Sequence, residues 1–291
     1  MNNTNEKSGI NLISFFIPLI IASTLPDILV QSISGEVPSL LAIGKIALLA
    51  YFTTTEFVMS RQDYSKFILM LIMINIGSLL TSSLESSSMI LKILDPNTFT
   101  GAVGGPVLSK MAGAFIVLII LVFSYNTPKR AYIARGDLNN KAQLGNTELS
   151  WKLIAGIVSI IFVVLYFGYM VVSGSIEISD LGLLTSNLPV IISLAMMSSL
   201  AEGIMYRSSL LAALKDSNFS KNLIYLFVGL FYGLASYYFI PGGFINIIIY
   251  STIGYIMAKS SYETEGFVSA WVMNIVVSAT LFSAYYLINF A

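Results

Sequence analysis

The sequence predicts an all-α, polytopic bundle of about nine transmembrane helices. Three observations predict it. Of the 291 residues 56% are hydrophobic and only 10% charged, against about a quarter charged in soluble domains. The mean hydropathy is +0.82. The apolar residues also fall in long runs, several of which reach the roughly 20 residues needed to cross about 30 Å of hydrocarbon.

The helices are expected at about 10–32, 39–59, 66–83, 107–125, 151–173, 187–210, 222–240, 243–259 and 266–289. The first run, near Asn11–Val30, is long for a signal-peptide core and no A-x-A-like site follows it, so it reads as a retained helix. No soluble domain is expected before or after the membrane part. The stretch 84–106, with Glu85, Asp95 and the run Gly101-Ala102-Val103-Gly104-Gly105-Pro106, reads as a loop or a short re-entrant segment. It lacks the Lys-Ser/Thr ending of a phosphate loop.

Charge orients the bundle. With the N-terminus cytoplasmic, the inner segments hold Lys7, Arg61, Lys66, Lys129, Arg130, Arg135, Lys141, Lys152, Arg207, Lys215, Lys221 and Lys259, twelve of the fifteen basic residues. The outer loops hold Glu36, Asp95, Glu177 and Asp180, with Lys92 and Lys110 near their edges. Short loops rich in Lys and Arg stay inside, so the C-terminus is expected outside. The polar stretch 126–150, with Gly136, Asn139-Asn140 and Gly145, reads as a solvated basic loop touching anionic headgroups. It divides an N-terminal block of about four helices (1–125) from a C-terminal block of about five (151–291).

Composition also excludes chemistry. With no cysteine and no histidine, disulfides, thiolate ligands and the commonest metal ligand and general base are all absent. No cofactor or metal is therefore expected. A net charge of zero argues against nucleic acid as a partner, which leaves the lipid bilayer and a membrane peptide or protein.

Charged groups at bilayer depth are costly and mark candidate sites. Asp27, after Pro26, and Lys45 fall at similar depth and are expected to form a structural pair. Glu56 near the inner end of the second helix reads as facing headgroups. Glu202, in Ser198-Ser199-Leu200-Ala201-Glu202-Gly203-Ile204-Met205-Tyr206-Arg207, lies more than a turn deeper than Arg207. Arg207 is expected to snorkel to the surface, while Glu202 needs a partner, water or a proton. The pattern Gly229-x-x-x-Gly233 reads as close helix packing. Tyr237-Tyr238-Phe239 before Pro241-Gly242-Gly243 reads as an interfacial belt and turn, and Tyr125, Trp151 and Tyr285-Tyr286 as interfacial anchors.

The Glu202 segment resembles the first motif, Glu-Glu-x-x-x-Arg, of the CPBP family, the CAAX-protease and bacteriocin-processing intramembrane proteases. Glu202 and Arg207 match, while Gly203 stands at the second Glu. Tyr232-Gly233-Leu234-Ala235-Ser236 resembles the family's second motif, with Ser236 at the His. Asn274-Ile275-Val276-Val277-Ser278 resembles the third, with Asn274 at the His and Ser278 at the Asn or Asp. The resemblance covers about 180–291. In the family the first Glu is thought to activate a water, and the two His to hold it or a metal.

The resemblance implies a multi-pass protein of a prokaryotic cell membrane, and the substitutions imply one without proteolytic activity. Serine and asparagine are neutral and cannot replace an imidazole base, and they are poor zinc ligands. Such a protein would bind a membrane peptide, a lipid-modified tail or a partner in an intramembrane cavity, with Glu202, Ser236 and Asn274 as a hydrogen-bonded network. Self-immunity to a bacteriocin is one form this role would take. The alternatives are a noncanonical endopeptidase using Glu202 as base, and a small-solute or ion transporter with Asp27, Lys45 and Glu202 along a polar path.

Overall fold

The computed structural model describes residues 12–54, 62–142, 148–217, 219–239 and 242–291. Among them the regular elements are helical, apart from one isolated bridge between Lys141 and Ser150. We number the helices α1 (Leu12–Ala22), α2 (Leu25–Ser34), α3 (Ser39–Thr54), α4 (Gln62–Glu85), α5 (Ser88–Ile93) and α6 (Phe99–Ser124). The chain continues with α7 (Trp151–Val172), α8 (Leu188–Asp216), α9 (Lys221–Ala235), α10 (Phe244–Thr264) and α11 (Val268–Asn289). A 3-10 segment, Ile178–Ser186, leads into α8.

Among the described residues, five helices are long and apolar enough to cross a membrane: α4, α6, α7, α8 and α11. A sixth span results if α1 and α2 are taken together. Helices α3 and α9 are apolar but shorter. Helix α10 has 21 residues, but Asn246, Lys259 and its hydroxyl residues leave it less apolar than the five.

The first predicted helix is broken. Its halves meet at 54°, because Pro26 in the first turn of α2 has no N–H to continue the ladder. Ser23 fills the break: its hydroxyl donates to Ile20 O (2.7 Å) and accepts from Leu25 N (3.2 Å).

The stretch 84–106 corrects a sequence expectation. Most of it is helix: α5, capped by Ser87, and the first turns of α6, capped by the Thr98 hydroxyl on Gly101 N (3.2 Å). The glycines serve packing here. A Cβ on Gly101 would lie 1.8 Å from Asp95 O, and one on Gly105 3.1 Å from Ile90 Cγ2, so the short α5 folds back onto α6.

The basic loop is likewise not simply solvated. Tyr132 and Ala131 are fully buried. The loop clasps the α10–α11 turn through Asp137 N to Thr264 O (3.0 Å) and Phe267 N to Ala134 O (2.7 Å), with Gly136 against Gly266. Trp151 and Tyr125, read as interfacial anchors, are buried in protein; the Trp151 indole donates to Glu263 Oε2 (3.0 Å).

Gly229 and Gly233 do bring helices together. A Cβ on Gly229 would lie 2.7 Å from Ser251 O, and one on Gly233 2.5 Å from Ile247 O, so α9 and α10 touch backbone to backbone. The largest buried cluster joins Phe15, Leu71 and Leu121 with Met205, Leu211 and Phe231, which packs α1, α4 and α6 against α8 and α9. Residues 7, 56, 61, 145 and 241 lie outside the described residues, among them Glu56.

Candidate functional site

Helix α8 carries the site at a local widening. Leu188–Glu202 is α-helical, Gly203–Ser208 winds as a π-type turn, and Ser209–Asp216 resumes α. Single π-turns inside helices are rare and frequently sit at functional sites. This one follows Glu202, whose side chain is buried.

Four donors surround the Glu202 carboxylate. Oε1 accepts from Lys110 Nζ (2.7 Å) on α6 and from the Ser198 hydroxyl (3.2 Å) one turn earlier on α8. Oε2 accepts from Asn274 Nδ2 (3.2 Å) on α11 and lies 3.2 Å from the Tyr232 hydroxyl on α9. That hydroxyl is also 2.8 Å from Asn274 Oδ1; its single proton serves one acceptor at a time. Asn274 Nδ2 further approaches Ser199 O at 3.4 Å, and Ser199 donates to the Ser278 hydroxyl at 3.1 Å. An ionised carboxylate has about four acceptor positions; Lys110, Ser198 and Asn274 fill three, and the Tyr232 hydroxyl shares its proton between the fourth and Asn274 Oδ1.

The geometry therefore brings together Glu202, Asn274 and Ser278, as the sequence suggested, but not Ser236. The Ser236 hydroxyl donates to Tyr232 O of its own helix (2.8 Å), and its carbonyl accepts from Asn246 Nδ2 (3.3 Å). Tyr232, one turn earlier on the same face, is the α9 residue that reaches the acid. A serine side chain at the end of α9 is too short to leave its own backbone.

Lys110 is the partner the sequence reading missed. With α6 starting at 107, Lys110 sits at a loop edge. With the observed start at Phe99 it lies eleven residues in, about 16 Å deep at 1.5 Å per residue. The signal was present: a lysine in an apolar run at the level of a buried acid.

Arg207 corrects a second expectation. It does not snorkel: it is 5% exposed. Its guanidinium lies 4.9 Å from the Phe267 ring centre, and Nη1 is 3.8 Å from Met257 Sδ. Nε and Nη2 have no hydrogen-bond partner. The guanidinium folds over Gly203, where a Cβ would stand 2.7 Å from Nη2 and 2.6 Å from Phe267 Cε2. The space a second motif glutamate would enter is thus filled by Arg207 and Phe267. A buried charge with orphan donors is a net cost, and apolar replacements of buried ionic groups are often neutral or stabilising. Arg207→Met is accordingly expected to leave the melting temperature unchanged or raised in a thermal unfolding assay; a clear fall would contradict this account of its surroundings.

Asp27 and Lys45 do pair, at 2.7 Å, and Lys45 also donates to Ser23 O (2.9 Å). The carbonyl freed by the α1–α2 break is thereby satisfied by the same lysine.

Beside Glu202 lies a cavity of about 380 Å³, lined mainly by apolar side chains such as Val103, Val107, Leu281 and Phe282. Lys110, Ser198, Glu202 and Ser278 line it as well, with Tyr238 and Tyr285. An apolar chain ending in a polar group matches that lining. A zinc ion does not fit it. Glu202 is the only carboxylate in the lining, its nearer oxygen is held by an ammonium, and among the described residues no three His, Cys, Asp or Glu side chains cluster as metal ligands. An amide, a phenol and serine hydroxyls do not compensate.

Fold and site thus define a multi-pass, all-helical membrane protein with a buried acid at the meeting point of α6, α8, α9 and α11. Residues 183–280 match the family described as type II CAAX prenyl endopeptidase Rce1-like, so the stretch carrying Glu202, Arg207, Tyr232 and Asn274 is Rce1-like. Neither a curated protein nor a solved structure matches the chain.

Proposed function

We propose that this protein is a non-proteolytic relative of the CAAX-type intramembrane proteases, of about nine spans with its N-terminus cytoplasmic. It holds an apolar chain, a membrane peptide or lipid-modified tail, in the cavity beside Glu202. The C-terminal block 151–291 supplies Glu202, Asn274 and Ser278. The N-terminal block 1–125 supplies Lys110 and a wall of the cavity. The cell membrane is its proposed location.

One observation carries the reading: the Glu202 carboxylate is ion-paired to Lys110 at 2.7 Å and ringed by Ser198, Tyr232 and Asn274. A general base needs a free lone pair facing the water it deprotonates and room for that water beside it. Here an ammonium sits in contact with one carboxylate oxygen, and the Ser198, Asn274 and Tyr232 side chains crowd the remaining lone pairs. Arg207, beside Phe267, is not placed to relieve either constraint.

The test uses full-length protein in lipid nanodiscs and a fluorescent farnesylated CAAX peptide. Saturable binding is expected, weakened in Leu281→Trp, which fills the cavity, with no cleavage that disappears in Glu202→Ala. Cleavage dependent on Glu202 would establish the active endopeptidase instead. Absence of saturable binding would remove the role assigned to the cavity.

A further inference from the structure

The C-terminal block holds a second cavity, which shares no lining residue with the first. It has a volume of about 510 Å³ and lies between α7 and α10. Phe162 meets Tyr250, and Val158 and Ile256 pack on one buried cluster, so the two helices run antiparallel. Val158, Ile161, Leu165, Ile249, Ile253 and Ile256 make up much of the wall, and among the described residues no charged side chain lines it. Ile161, Leu165, Ile245 and Ile248 are exposed along its rim. On a helix apolar enough to cross a membrane, that open side faces lipid.

Two polar groups interrupt this lining, and both lack a partner. Asn246 is fully buried and Tyr250 is 1% exposed, and both line the cavity. Asn246 Oδ1 and the Tyr250 hydroxyl make no hydrogen bond to a described residue. Buried acceptors and phenols are costly to leave unpaired and nearly always find a partner. The Asn246 amide cannot turn to hide its oxygen, because Nδ2 is held by Ser236 O (3.3 Å) and Phe239 O. With the nitrogen facing the end of α9, the oxygen turns away from it. Asn246 and Tyr250 are four residues apart and share a face of α10. Side chains on a helix lean toward its N-terminus, which carries the Tyr250 hydroxyl toward Asn246.

The cavity is therefore polar at one end only. Asn246 stands in the first turn of α10. Ten residues further on, about 15 Å at 1.5 Å per residue, Ile256 lines the far end. Polar at a helix end and apolar toward the middle is the polarity of a lipid lying in its own leaflet. The volume is within the range of pockets that take small molecules.

We infer that this cavity binds an uncharged, single-chain lipid with a terminal hydroxyl. The hydroxyl donates to Asn246 Oδ1 and accepts from the Tyr250 O–H, and the chain runs along Ile249, Ile253 and Ile256. A charged phospholipid headgroup finds no counter-charge here. A water molecule matches the two polar atoms but leaves the apolar remainder of the cavity unfilled. The site goes beyond the apolar-chain binding proposed above and does not depend on it.

The experiment measures thermal unfolding of the full chain in phosphatidylcholine nanodiscs with rising mole fractions of oleyl alcohol or of its methyl ether. The ether keeps the chain but has no proton to give Asn246. The alcohol is expected to raise the melting temperature saturably, and the ether to do so little. Tyr250→Phe removes a hydroxyl that touches nothing in the protein, so its melting temperature without alcohol should be unchanged. Its half-saturation should weaken about fivefold, the loss of one neutral hydrogen bond. Ile161→Trp, at an exposed position on the rim, fills the cavity and should abolish the response. Leu281→Trp, which fills the first cavity, should leave it intact, so this reading and the farnesyl-peptide reading can fail separately. Equal shifts from alcohol and ether, or an unchanged titration in Tyr250→Phe, overturn the inference. So does a dimer in detergent that Ile161→Trp dissociates, because the groove then belongs to a second copy of the chain.

Discussion

Replacing Lys110 with methionine is expected to destabilise the protein by about 3–5 kcal/mol, the range for removing one partner of a buried ion pair. At about 2–4 °C per kcal/mol, that is a loss on the order of 10 °C in melting temperature. The reasoning follows the carboxylate. Glu202 is 3% exposed, and its remaining neighbours, Ser198, Tyr232 and Asn274, are neutral donors. Without Lys110 the charge has dipoles around it but no counter-ion within contact. The same reasoning fixes the rescue. Lys110→Met with Glu202→Gln removes both charges, and the glutamine oxygen can accept from Asn274 while its amide nitrogen donates to the Ser198 hydroxyl, so the double variant should recover most of the lost stability. Glu202→Gln alone leaves Lys110 facing the same cavity as a lone cation and should cost more than the double change. A double-mutant cycle that shows no coupling between the two positions would refute the pair as the organising contact of the site.

The helical class and the buried acid were legible because both are written in composition: long apolar runs, and a carboxylate within one of them. The Asp27–Lys45 pair was legible for the same reason, two opposite charges at matching depth. What was not legible depended on where helices begin and bend. Gly101, Gly104, Gly105 and Pro106 have the composition of a loop. They fold as helix because tight packing on α5 and a Thr98 cap outweigh their weak propensity, and that boundary decided whether Lys110 belonged to a loop or to the core. The π-type turn was equally hidden. At 3.6 residues per turn, Glu202 and Arg207 stand about 140° apart, and the sequence carries no mark of the wider winding over Gly203–Ser208. Arg207 was expected at the surface because a long side chain near a helix end usually snorkels. Here α8 continues to Asp216 and Phe267 covers the guanidinium. The three motif segments converge as their order implied, but which side chain of α9 reaches Glu202 depended on one turn of helix, Tyr232 in place of Ser236.

Gly113→Val is expected to destabilise the protein by about 1–3 kcal/mol, less than losing Lys110, and to damage the site through it. Gly113 on α6 faces Gly77 on α4 with no room between them. A Cβ on Gly113 would lie 2.3 Å from Gly77 O and 2.5 Å from Thr81 Oγ1, and one on Gly77 would lie 2.8 Å from Gly113 O. The obstructing atoms are mainly backbone, so no rotamer change relieves them and the helices must separate. Overpacking a close contact costs about 1–3 kcal/mol and occasionally more. Small residues at helix interfaces are what permit such approach in a membrane protein. Thr81 donates to Gly77 O (2.9 Å) and lies 3.3 Å from Ser109 O, so separation also strains a hydrogen bond between the helices. Lys110 stands three residues before Gly113, on the same face of α6, and its contact with Glu202 is only 2.7 Å. A shift of α6 large enough to admit a valine therefore weakens that ion pair. The prediction has two readouts: a lower melting temperature for Gly113→Val, and a smaller Lys110–Glu202 coupling energy when the double-mutant cycle is repeated in the Gly113→Ala background. Gly156→Ala is the control. That glycine is in the second turn of α7 with nothing within 4 Å of the added carbon, so alanine there should be neutral or stabilising by up to about 1 kcal/mol. If Gly113→Val behaved like Gly156→Ala, α4 and α6 would not be in backbone contact and the placement of Lys110 beside Glu202 would lose its structural cause.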